Sequence, residues 1–410
     1  MDFRELKKLD KTVWLVIVVA ALGYFVDIYD LLLFSIVRVK SLQGVGVPEA
    51  EIFQKGVLLI NVQMAGLLIG GIIWGILGDK RGRLSVLFGS IILYSVANLL
   101  NAAVTSVEQY AVLRFIAGIG LAGELGAGIT LVSEILPQKL RGYGTALVAS
   151  IGLLGAVFGG LIGDLFSWRV AFVIGGCLGL LILLLRFGVR ESAMFNRAKD
   201  DGVRRGNIWL LVQNWRTFGK YLSVILIGVP IWFGIGIVMT FSPEFGKAFH
   251  MATLPTAGYS VMFGYIGMSI GDLSSGLLSQ YFQSRRKVIF IYMMISTVVF
   301  ATYLIFAREN LALYYAFIVL LGIGIGYWAL FVTVAAEQFG TNIRSTVATT
   351  VPNFVRGALI PLTTAFQYIT SQSDAVTAGI VVGSSAMFVG LIALRFLPET
   401  FHKDLDYNEA

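Results

Sequence analysis

The segment 75–83 reads Gly-Ile-Leu-Gly-Asp-Lys-Arg-Gly-Arg and separates two long apolar runs. Its three glycines favour a tight turn, and its four charged side chains are costly to place in hydrocarbon. Three of the four are basic, and Lys and Arg are enriched in loops on the cytoplasmic side of a membrane. The segment therefore predicts a cytoplasmic turn and fixes the direction in which the flanking runs cross the bilayer.

Hydrophobic residues make up 57% of the 410 residues, and charged residues only 13%. Soluble domains carry about 25% charged residues, so this composition excludes an ordinary soluble protein. Apolar stretches recur along the whole chain, and each is long enough to cross about 30 Å of hydrocarbon as a helix. They are unbroken and about twice the length of a spanning strand, which disfavours a β-barrel.

These stretches predict twelve transmembrane helices, which we name α1 to α12. Their predicted bounds are 13–39, 54–78, 84–103, 108–136, 141–165, 169–187, 221–245, 257–282, 287–306, 312–338, 344–370 and 375–397. The longest polar break separates the first six helices from the last six. It predicts an N-terminal bundle over 1–187, a cytoplasmic linker over 188–220 and a C-terminal bundle over 221–410.

The two halves repeat each other in one of their loops. Glu134 and Arg141 are seven residues apart at the predicted turn from α4 to α5, and Glu337 and Arg344 have the same spacing at the turn from α10 to α11. Parallel repeats of this kind build transporters whose two bundles rock about a central substrate site. The predicted fold is therefore an all-α membrane protein with two pseudo-symmetric six-helix bundles, working by alternating access.

The net charge of +7 does not indicate a nucleic-acid partner, because the basic residues are concentrated in alternate loops. This pattern predicts a multi-pass membrane protein with both termini in the cytoplasm. Short outer loops and the lack of an Asn-x-Ser/Thr site suit a bacterial cytoplasmic membrane. The lipid bilayer is thus the first expected partner.

Catalysis has little support in the sequence. The only two histidines, His250 and His402, lie in a predicted loop and in the tail, and no Gly-x-x-x-x-Gly-Lys loop is present to bind phosphates. We therefore predict neither an enzyme nor an ATP-driven pump, and no catalytic residue, metal site or cofactor. A gradient must supply the energy for any uphill transport.

Ionisable side chains inside the predicted helices are functional candidates, because a charge in hydrocarbon is costly. These residues are Asp27, Asp30, Arg114, Glu124, Asp272 and Arg356. Asp27 and Asp30 are three residues apart on α1, which places both on one face of that helix. Burial and mutual repulsion favour a protonated carboxyl at such a site, so both acids are predicted proton carriers.

Asp30 and Arg114 are expected to pair. Counting helical rises places Asp30 on α1 and Arg114 on α4 at comparable depths, roughly 13 Å and 9 Å from the outer ends of their helices. A proton on Asp30 would then free Arg114 to hold a substrate carboxylate, which couples proton and substrate in one site. A permanent ion pair that joins α1 and α4 is the structural alternative.

Arg356 lies inside predicted α11, where it could hold the other end of an anionic substrate. Two alternatives remain open for this side chain. It could reach Asp272 of α8, or it could extend toward the membrane surface. Tyr29, next to Asp30, is a further candidate substrate contact.

The segment 75–83 resembles the signature loop of the major facilitator superfamily, and the resemblance extends over nearly the whole chain. Residues 27–34, Asp-Ile-Tyr-Asp-Leu-Leu-Leu-Phe, and 123–126, Gly-Glu-Leu-Gly, are similar to segments of its metabolite:proton symporters. Residues 397–400, Leu-Pro-Glu-Thr, resemble the tail of its sugar porters. The resemblance implies the major facilitator fold, a monomer, no cofactor, and protons and a small molecule as partners.

The resemblance also bears on individual residues. It adds weight to proton-coupling roles for Asp27, Asp30 and Glu124, and to a substrate-binding role for Arg114. The predicted gating residues are Asp79, Arg83, Glu134, Arg141, Glu337 and Arg344. Asp79 can pair with Arg83 and with the cationic N-terminal end of a neighbouring helix, which would latch the cytoplasmic side. For Glu337 and Arg344, a purely structural role as folding anchors remains the alternative.

Three classes of transporter compete. A proton-coupled importer of a small organic acid or zwitterion agrees best with the acids of α1. A proton-driven exporter is disfavoured, because residues 155–160 resemble the exporters' motif in α5 but carry Ala156 where they have Pro. A sugar:proton symporter or a uniporter is the remaining alternative, since sugar symporters also contain an intramembrane Asp.

Overall fold

The computed structural model of the protein describes residues 11–136, 141–186, 208–340 and 343–401. Regular structure in these ranges is helical. The helices are α1 Lys11–Gly44, α2 Glu49–Arg81, α3 Arg83–Asn101, α4a Val107–Leu121, α4b Glu124–Ile135, α5 Arg141–Leu165, α6 Trp168–Arg186, α7a Trp215–Phe233, α7b Ser242–Ala248, α8 Ala257–Phe282, α9 Arg285–Phe306, α10a Leu311–Ile325, α10b Trp328–Glu337, α11a Arg344–Gly357, α11b Leu359–Gln372 and α12 Ala375–Phe396. We call α1 to α6 the first half and α7 to α12 the second half.

Eleven helices within the described ranges are long and apolar enough to cross a membrane. The twelfth is α11, which differs from the predicted unbroken run because it is interrupted at Ala358 into two parts of 14 residues each. The first part is polar along one side, where Thr346, Thr349 and Asn353 are buried. The predicted all-α architecture of twelve helices is therefore present, with α11 divided.

The seventh helix begins earlier than predicted. The side chain of Asn214 accepts a hydrogen bond from the backbone N–H of Arg216, so the helix begins at Trp215 instead of residue 221. This start falls within the predicted linker, of which residues 188–207 lie outside the described ranges. The helix then passes through a π-helical turn, Gly234–Met239, before the short segment α7b.

Contacts between loops define two faces of the bundle. On the face where α1 begins and α12 ends, the Ser284 hydroxyl donates to the Glu399 carboxylate at 2.5 Å. We call this the terminal face. On the opposite face, which we call the distal face, Arg38 near the end of α1 pairs with Glu244 of α7b at 2.6 Å. Each helix connection can therefore be assigned to one of the two faces.

Glycines allow two equivalent pairs of helices to touch backbone to backbone. Gly118 of α4a lies against the backbone carbonyl of Gln63 in α2, and Gly322 of α10a lies against the carbonyl of Gly264 in α8. A Cβ atom at either glycine would collide with that carbonyl. Small residues permit this close approach of helices in membranes, so the same packing is built once in each half.

The helices α4 and α10 are both interrupted, and at equivalent positions. In α4 the interruption falls between Leu121 and Glu124, and in α10 it falls between Ile325 and Trp328. An interrupted helix exposes backbone groups that need hydrogen-bond partners in a membrane interior. Broken helices in transporters commonly mark the substrate depth, so these two breaks locate the candidate site.

Candidate functional site

The charged residues predicted inside the helices are all buried. Asp27, Asp30, Glu124, Arg114 and Arg356 are at most 1% exposed, and Asp272 is 9% exposed. Buried charges in proteins are paired or hydrogen-bonded, because an isolated charge is strongly destabilised there. The partners of each group therefore identify its place in the site.

An ion pair joins the two halves near the centre of the bundle. Asp27 of α1 lies 3.7 Å from the guanidinium of Arg356 in α11, and both side chains are buried. Arg356 also donates to the side-chain oxygen of Asn353 at 3.4 Å. Its guanidinium carbon lies 5.9 Å from the ring centre of Trp328, the first residue of α10b. Arg356 thus binds a carboxylate of the first half, and not Asp272.

Asp30 occupies a separate site inside the first half. Its carboxylate lies against Gly175 of α6, and neither oxygen accepts a hydrogen bond within 3.5 Å from a described residue. The expected pairing with Arg114 is not formed, because Arg114 donates to Asn98 at 2.6 Å and to Asn101 at 3.3 Å on α3. Two asparagines of α3 hold the Arg114 guanidinium instead.

Tyr29 also belongs to the interior of the first half. Its hydroxyl donates to the backbone carbonyl of Ala171 in α6 at 2.8 Å. Asp27 and Asp30 therefore contact different neighbours, although they were predicted to share one face of α1. Asp27 faces the second half, whereas Asp30 and Tyr29 point toward α6.

Glu124 pairs with a residue that the sequence analysis missed. The Arg186 guanidinium, at the end of α6, donates to both oxygens of Glu124 and also to the backbone carbonyl of Leu87 at 2.7 Å. The pair is packed against Gly23 of α1. Arg186 lies inside the predicted bounds of α6, and this position could have identified it as an ionisable residue within a helix. Helix-terminal cations often extend to solvent, so position alone could not show that this one folds inward.

Asp272 stabilises the break in α10. One of its oxygens accepts a hydrogen bond from the backbone N–H of Ala329 at 3.1 Å, in the first turn of α10b. A carboxylate at a helix N-terminus satisfies orphan N–H groups and interacts favourably with the helix dipole. The equivalent residue of α2 is Gly71, as shown by the matching glycines at Gly70 and Gly271. The corresponding break in α4 therefore cannot be capped in this way.

Aromatic side chains surround the ion pair between Asp27 and Arg356. Tyr24 of α1 and Tyr265 of α8 are both buried and lie within electrostatic range of Arg356. Trp328 adds a third ring. The site therefore combines one guanidinium with buried aromatic side chains.

The distal face is closed by contacts between the halves. Arg38 is fully buried, pairs with Glu244 and lies 4.7 Å from the ring centre of Phe241. Deeper in the same cleft, Thr363 of α11b donates to the side-chain oxygen of Asn61 in α2 at 2.5 Å. The helix α1 was predicted to end at residue 39 and in fact continues to Gly44, so Arg38 lies more than one turn before its end.

Contacts close the terminal face as well. Asn353 of α11a donates its side-chain amide to the backbone carbonyl of Ala122, in the break of α4, at 2.9 Å. A Cβ atom at Gly126 would collide with Thr349, so α4b and α11a are in close contact. Contacts between the two halves are thus present toward both faces, on either side of the Asp27 and Arg356 pair.

The predicted gating residues are only partly described. The side chains of Asp79, Glu134, Arg141 and Arg344 lie outside the described residues. Arg83 donates to the backbone carbonyl of Gly78 at 3.1 Å. Glu337 pairs with Arg285 at 3.3 Å and accepts a hydrogen bond from the Thr400 hydroxyl at 2.6 Å. Glu337 thus ties α10b to the start of α9 and to the C-terminal tail.

Comparisons with known proteins agree with this architecture. A family model described as Major Facilitator Superfamily matches residues 13–360. The cis,cis-muconate transport protein of Acinetobacter baylyi is 27% identical over 404 residues, which cover 93% of both chains. The 4-hydroxybenzoate transporter PcaK of Pseudomonas putida is 30% identical over 209 residues, covering 49% of this chain and 45% of PcaK.

Solved structures with the same fold are also found. An inward-open structure of the xylose transporter XylE from E. coli superposes with a TM-score of 0.74 and covers 96% of this chain and 98% of XylE. The sequence identity is 16%, so this likeness concerns the fold alone. The predicted twelve-helix fold is therefore confirmed.

Proposed function

Since the chain belongs to the Major Facilitator Superfamily and is a multi-pass membrane transporter rather than an enzyme, we propose that it imports a small organic acid together with protons. The bundles 1–187 and 221–410 would rock about the central ion pair, with the linker 188–220 joining them. Each monomer is a complete transporter in this proposal. The experiment below tests the substrate, the coupling ion and the direction.

The observation that carries the proposal is the ion pair between Asp27 and Arg356. A buried guanidinium needs an anionic partner, and Asp27 supplies it across the interface between the halves. A substrate carboxylate that binds Arg356 replaces Asp27, which then lies unpaired in a medium of low dielectric. An unpaired buried carboxyl is stabilised by a proton, so substrate and proton enter together.

Asp30 completes the coupling site in this proposal. It lies one helical turn from Asp27 and can receive the proton from it. Arg114 belongs to the same half and is held by two asparagines of α3. Glu124 is already paired with Arg186, so we assign it to the departure of the proton and not to the substrate.

The chemistry of the site supports a flat carboxylic acid as the substrate. Arg356 can bind a carboxylate, and Tyr24, Tyr265 and Trp328 offer apolar surfaces beside it. The relatives described above are named for muconate and 4-hydroxybenzoate transport. A sugar has no charge to place on Arg356, so the sugar symporter remains the second candidate only through the likeness in fold.

The terminal face is the cytoplasmic face in this proposal. Lys80 and Arg81 lie on it at the end of α2, and Arg285 and Arg286 lie on it at the start of α9. Basic residues are retained on the cytoplasmic side during insertion. A bacterial inner membrane with both termini inside is the location that follows.

The test is transport by purified protein in vesicles that contain a pH-sensitive dye. Benzoate, 4-hydroxybenzoate, cis,cis-muconate, glycine betaine and xylose are added in turn, and substrate uptake and internal pH are recorded together. We expect one or more of the carboxylates to enter with acidification of the lumen. Arg356→Gln should abolish uptake, while Lys247→Gln, at an exposed ion pair on the distal face, should retain it.

Each alternative has its own result in this assay. Uptake of xylose with acidification would indicate a sugar symporter, and uptake without a pH change would indicate a uniporter. Alkalinisation of the lumen during uptake would indicate proton antiport. Full activity of Arg356→Gln would overturn the assignment of this residue as the carboxylate site.

A further inference from the structure

The first half contains a second set of buried polar groups that the substrate site does not use. Tyr94 and Ser95 of α3 are fully buried, and their hydroxyl groups have no hydrogen-bond partner among the described residues. Buried hydroxyls in folded proteins are nearly always hydrogen-bonded, to protein or to water. Both hydroxyls are therefore available to bind water.

The glycines of α6 form a groove that these groups share with Asp30. Gly175, Gly179 and Arg186 lie on one face of α6, because four residues and eleven residues both return to nearly the same side of a helix. A Cβ atom at Gly175 would collide with the Asp30 carboxylate. A Cβ atom at Gly179 would collide with the Ser95 hydroxyl and would lie 3.2 Å from the ring of Tyr94.

The groups are therefore arranged in order along α6. Asp30 lies at the level of Gly175, the two hydroxyl residues lie about 6 Å closer to the terminal face, and Arg186 follows about 10 Å further along. Along α6, Tyr94 therefore lies between the Asp30 carboxylate and the pair formed by Glu124 and Arg186.

The charged groups that face Tyr94 come from three helices. They are Asp27 and Asp30 of α1, Glu124 of α4b and Arg186 of α6. The backbone of Tyr94 is in close contact with Gly120 of α4a, and its ring lies beside Gly179 of α6. A tyrosine held rigidly between carboxyl groups is well placed to pass a proton, since its hydroxyl both donates and accepts hydrogen bonds.

The lower end of this arrangement leads toward the terminal face. Arg186 donates to the carbonyl of Leu87. A small cleft lies at that face and is lined by Val86, next to Leu87, and by Gly126 and Ala127, which follow Glu124 closely along the chain. Water in this cleft can accept a proton that leaves Glu124.

We infer that the first half contains its own proton route, which runs from Asp30 through the Tyr94 hydroxyl and bridging water to Glu124, apart from the cleft between the halves that the substrate uses. The inference rests on the proposed function. The Asp30 carboxylic acid gives its proton to this hydrogen-bonded route and becomes a carboxylate. Tyr94 accepts one proton as it passes its own onward, so it stays neutral. Glu124 receives the proton, loosens its bond to Arg186 and releases the proton to water.

The test compares Tyr94→Phe with the wild-type protein in two vesicle assays. Phe retains the ring that lies beside Gly179, so only the hydroxyl is lost. Net uptake requires the proton to leave, whereas exchange of labelled for unlabelled substrate can proceed with the carrier protonated throughout. We expect net uptake and its pH signal to slow by at least about tenfold. Exchange should stay unchanged.

Tyr303→Phe is the matched control. Tyr303 is equally buried but lies in the second half, where its hydroxyl bonds to Tyr314 at 3.1 Å. It should leave both assays at the wild-type rate. Ser95→Ala, which removes the hydroxyl that lies with the Tyr94 ring beside Gly179 and can hold the bridging water, is the second test variant and should slow net uptake while sparing exchange.

Two outcomes count against the route. Wild-type net uptake in both Tyr94→Phe and Ser95→Ala would overturn it, and so would an equal loss of uptake and exchange in both, because that loss indicates a structural role. If Tyr94→Phe fails to fold, Ser95→Ala decides alone. If the wild-type protein moves substrate without protons, the proposed function itself is wrong. If the wild-type protein and both variants all take up substrate with protons at the same rate, the proposed function stands and only the proton route is wrong.

Discussion

The Asp27 carboxylate of α1 lies 3.7 Å from the Arg356 guanidinium of α11, so a single buried ion pair connects the two halves at the depth of their helix breaks. Its position makes the pair both a structural contact and the proposed place of substrate exchange. These two roles can be separated, because neutral side chains can restore stability but cannot restore a charge for the substrate.

Removing one partner of this pair should destabilise the protein more than removing both. Asp27→Asn or Arg356→Gln alone leaves an uncompensated buried charge, which costs about 3–5 kcal/mol. The double variant should recover most of that loss and still fail to transport. Thermal unfolding in detergent measures the first effect, and vesicle uptake measures the second. Equal stability of the single and double variants would show that the two side chains do not interact.

The Arg38 and Glu244 pair should control opening of the distal face. Glu244→Gln leaves the buried Arg38 without its charged partner, which weakens the closed state. A loss of about 1.4 kcal/mol already changes the ratio of closed to open molecules tenfold. Spin labels at Gln43 and His250, in a Cys177→Ser background, should show a longer distance population in the variant.

The control for this experiment is Glu49→Gln. Glu49 pairs with Lys247 on the same face, but these side chains are 80% and 60% exposed. Exposed pairs contribute little, so the distance distribution should match that of the wild-type protein. A similar broadening in both variants would assign the effect to surface charge and not to the buried pair.

Glu399 should make the stability of the second half sensitive to acid. Burial alone would raise the pKa of Glu399, but hydrogen bonds from the Ser284 hydroxyl and from the backbone N–H groups of Arg285, Phe401 and Thr400 outweigh it and lower the pKa. A lowered pKa in the folded state stabilises the protein above the unfolded pKa. This stability is lost as the pH falls through the folded value.

The measurement is the unfolding temperature of wild type and Glu399→Gln from pH 6 to pH 3. We expect the variant to be less stable at pH 6, with the difference shrinking below about pH 4.5, where the unfolded carboxyl begins to hold its proton. Glu309→Gln, at an exposed position, is the control and should show a constant difference. A difference for Glu399→Gln that does not depend on pH would contradict the linkage.

Two glycines of α8 should respond in opposite ways to alanine. A Cβ atom at Gly267 would collide with the backbone of α10a at Val319, whereas nothing lies within 4 Å of the Cβ position at Gly276. Gly267→Ala should destabilise the protein by about 1–3 kcal/mol because the helices must separate. Gly276→Ala should be neutral or stabilising by about 0.5–1 kcal/mol. Unfolding curves in detergent compare the two, and equal effects would refute the close packing.

The sequence was sufficient to predict the helices, because unbroken apolar runs have few other solutions in a membrane. It was less informative about partners. Counting rises placed Asp30 and Arg114 at comparable depths, but depth does not specify which way a side chain points, and Asn98 and Asn101 hold the guanidinium. The break in α11 was missed because Gly357 and Pro361, which flank it, were not taken as signals that end a helix.

Cations at helix ends were the other difficulty. Arg186 folds inward to bind Glu124, although a long side chain at a helix end can equally extend to water. Only the packing of Gly23 against this pair distinguishes the two cases, and Gly23 is far from both residues in sequence. Contacts of this kind depend on the rotation of each helix about its axis, which periodicity leaves undetermined in helices that are apolar all round.

The two helix breaks are stabilised by different partners, and this difference has a consequence for biosynthesis. The break in α10 is capped by Asp272 of its own half, whereas the Ala122 carbonyl in the break of α4 is bonded by Asn353 of the other half. A ribosome completes α4 more than 200 residues before it reaches Asn353. The N-terminal bundle is therefore inserted in the bilayer before the Ala122 carbonyl has this partner. The later docking of α11 supplies the hydrogen bond. When the two halves are made as separate chains, the C-terminal one should mature alone and the N-terminal one should need its partner.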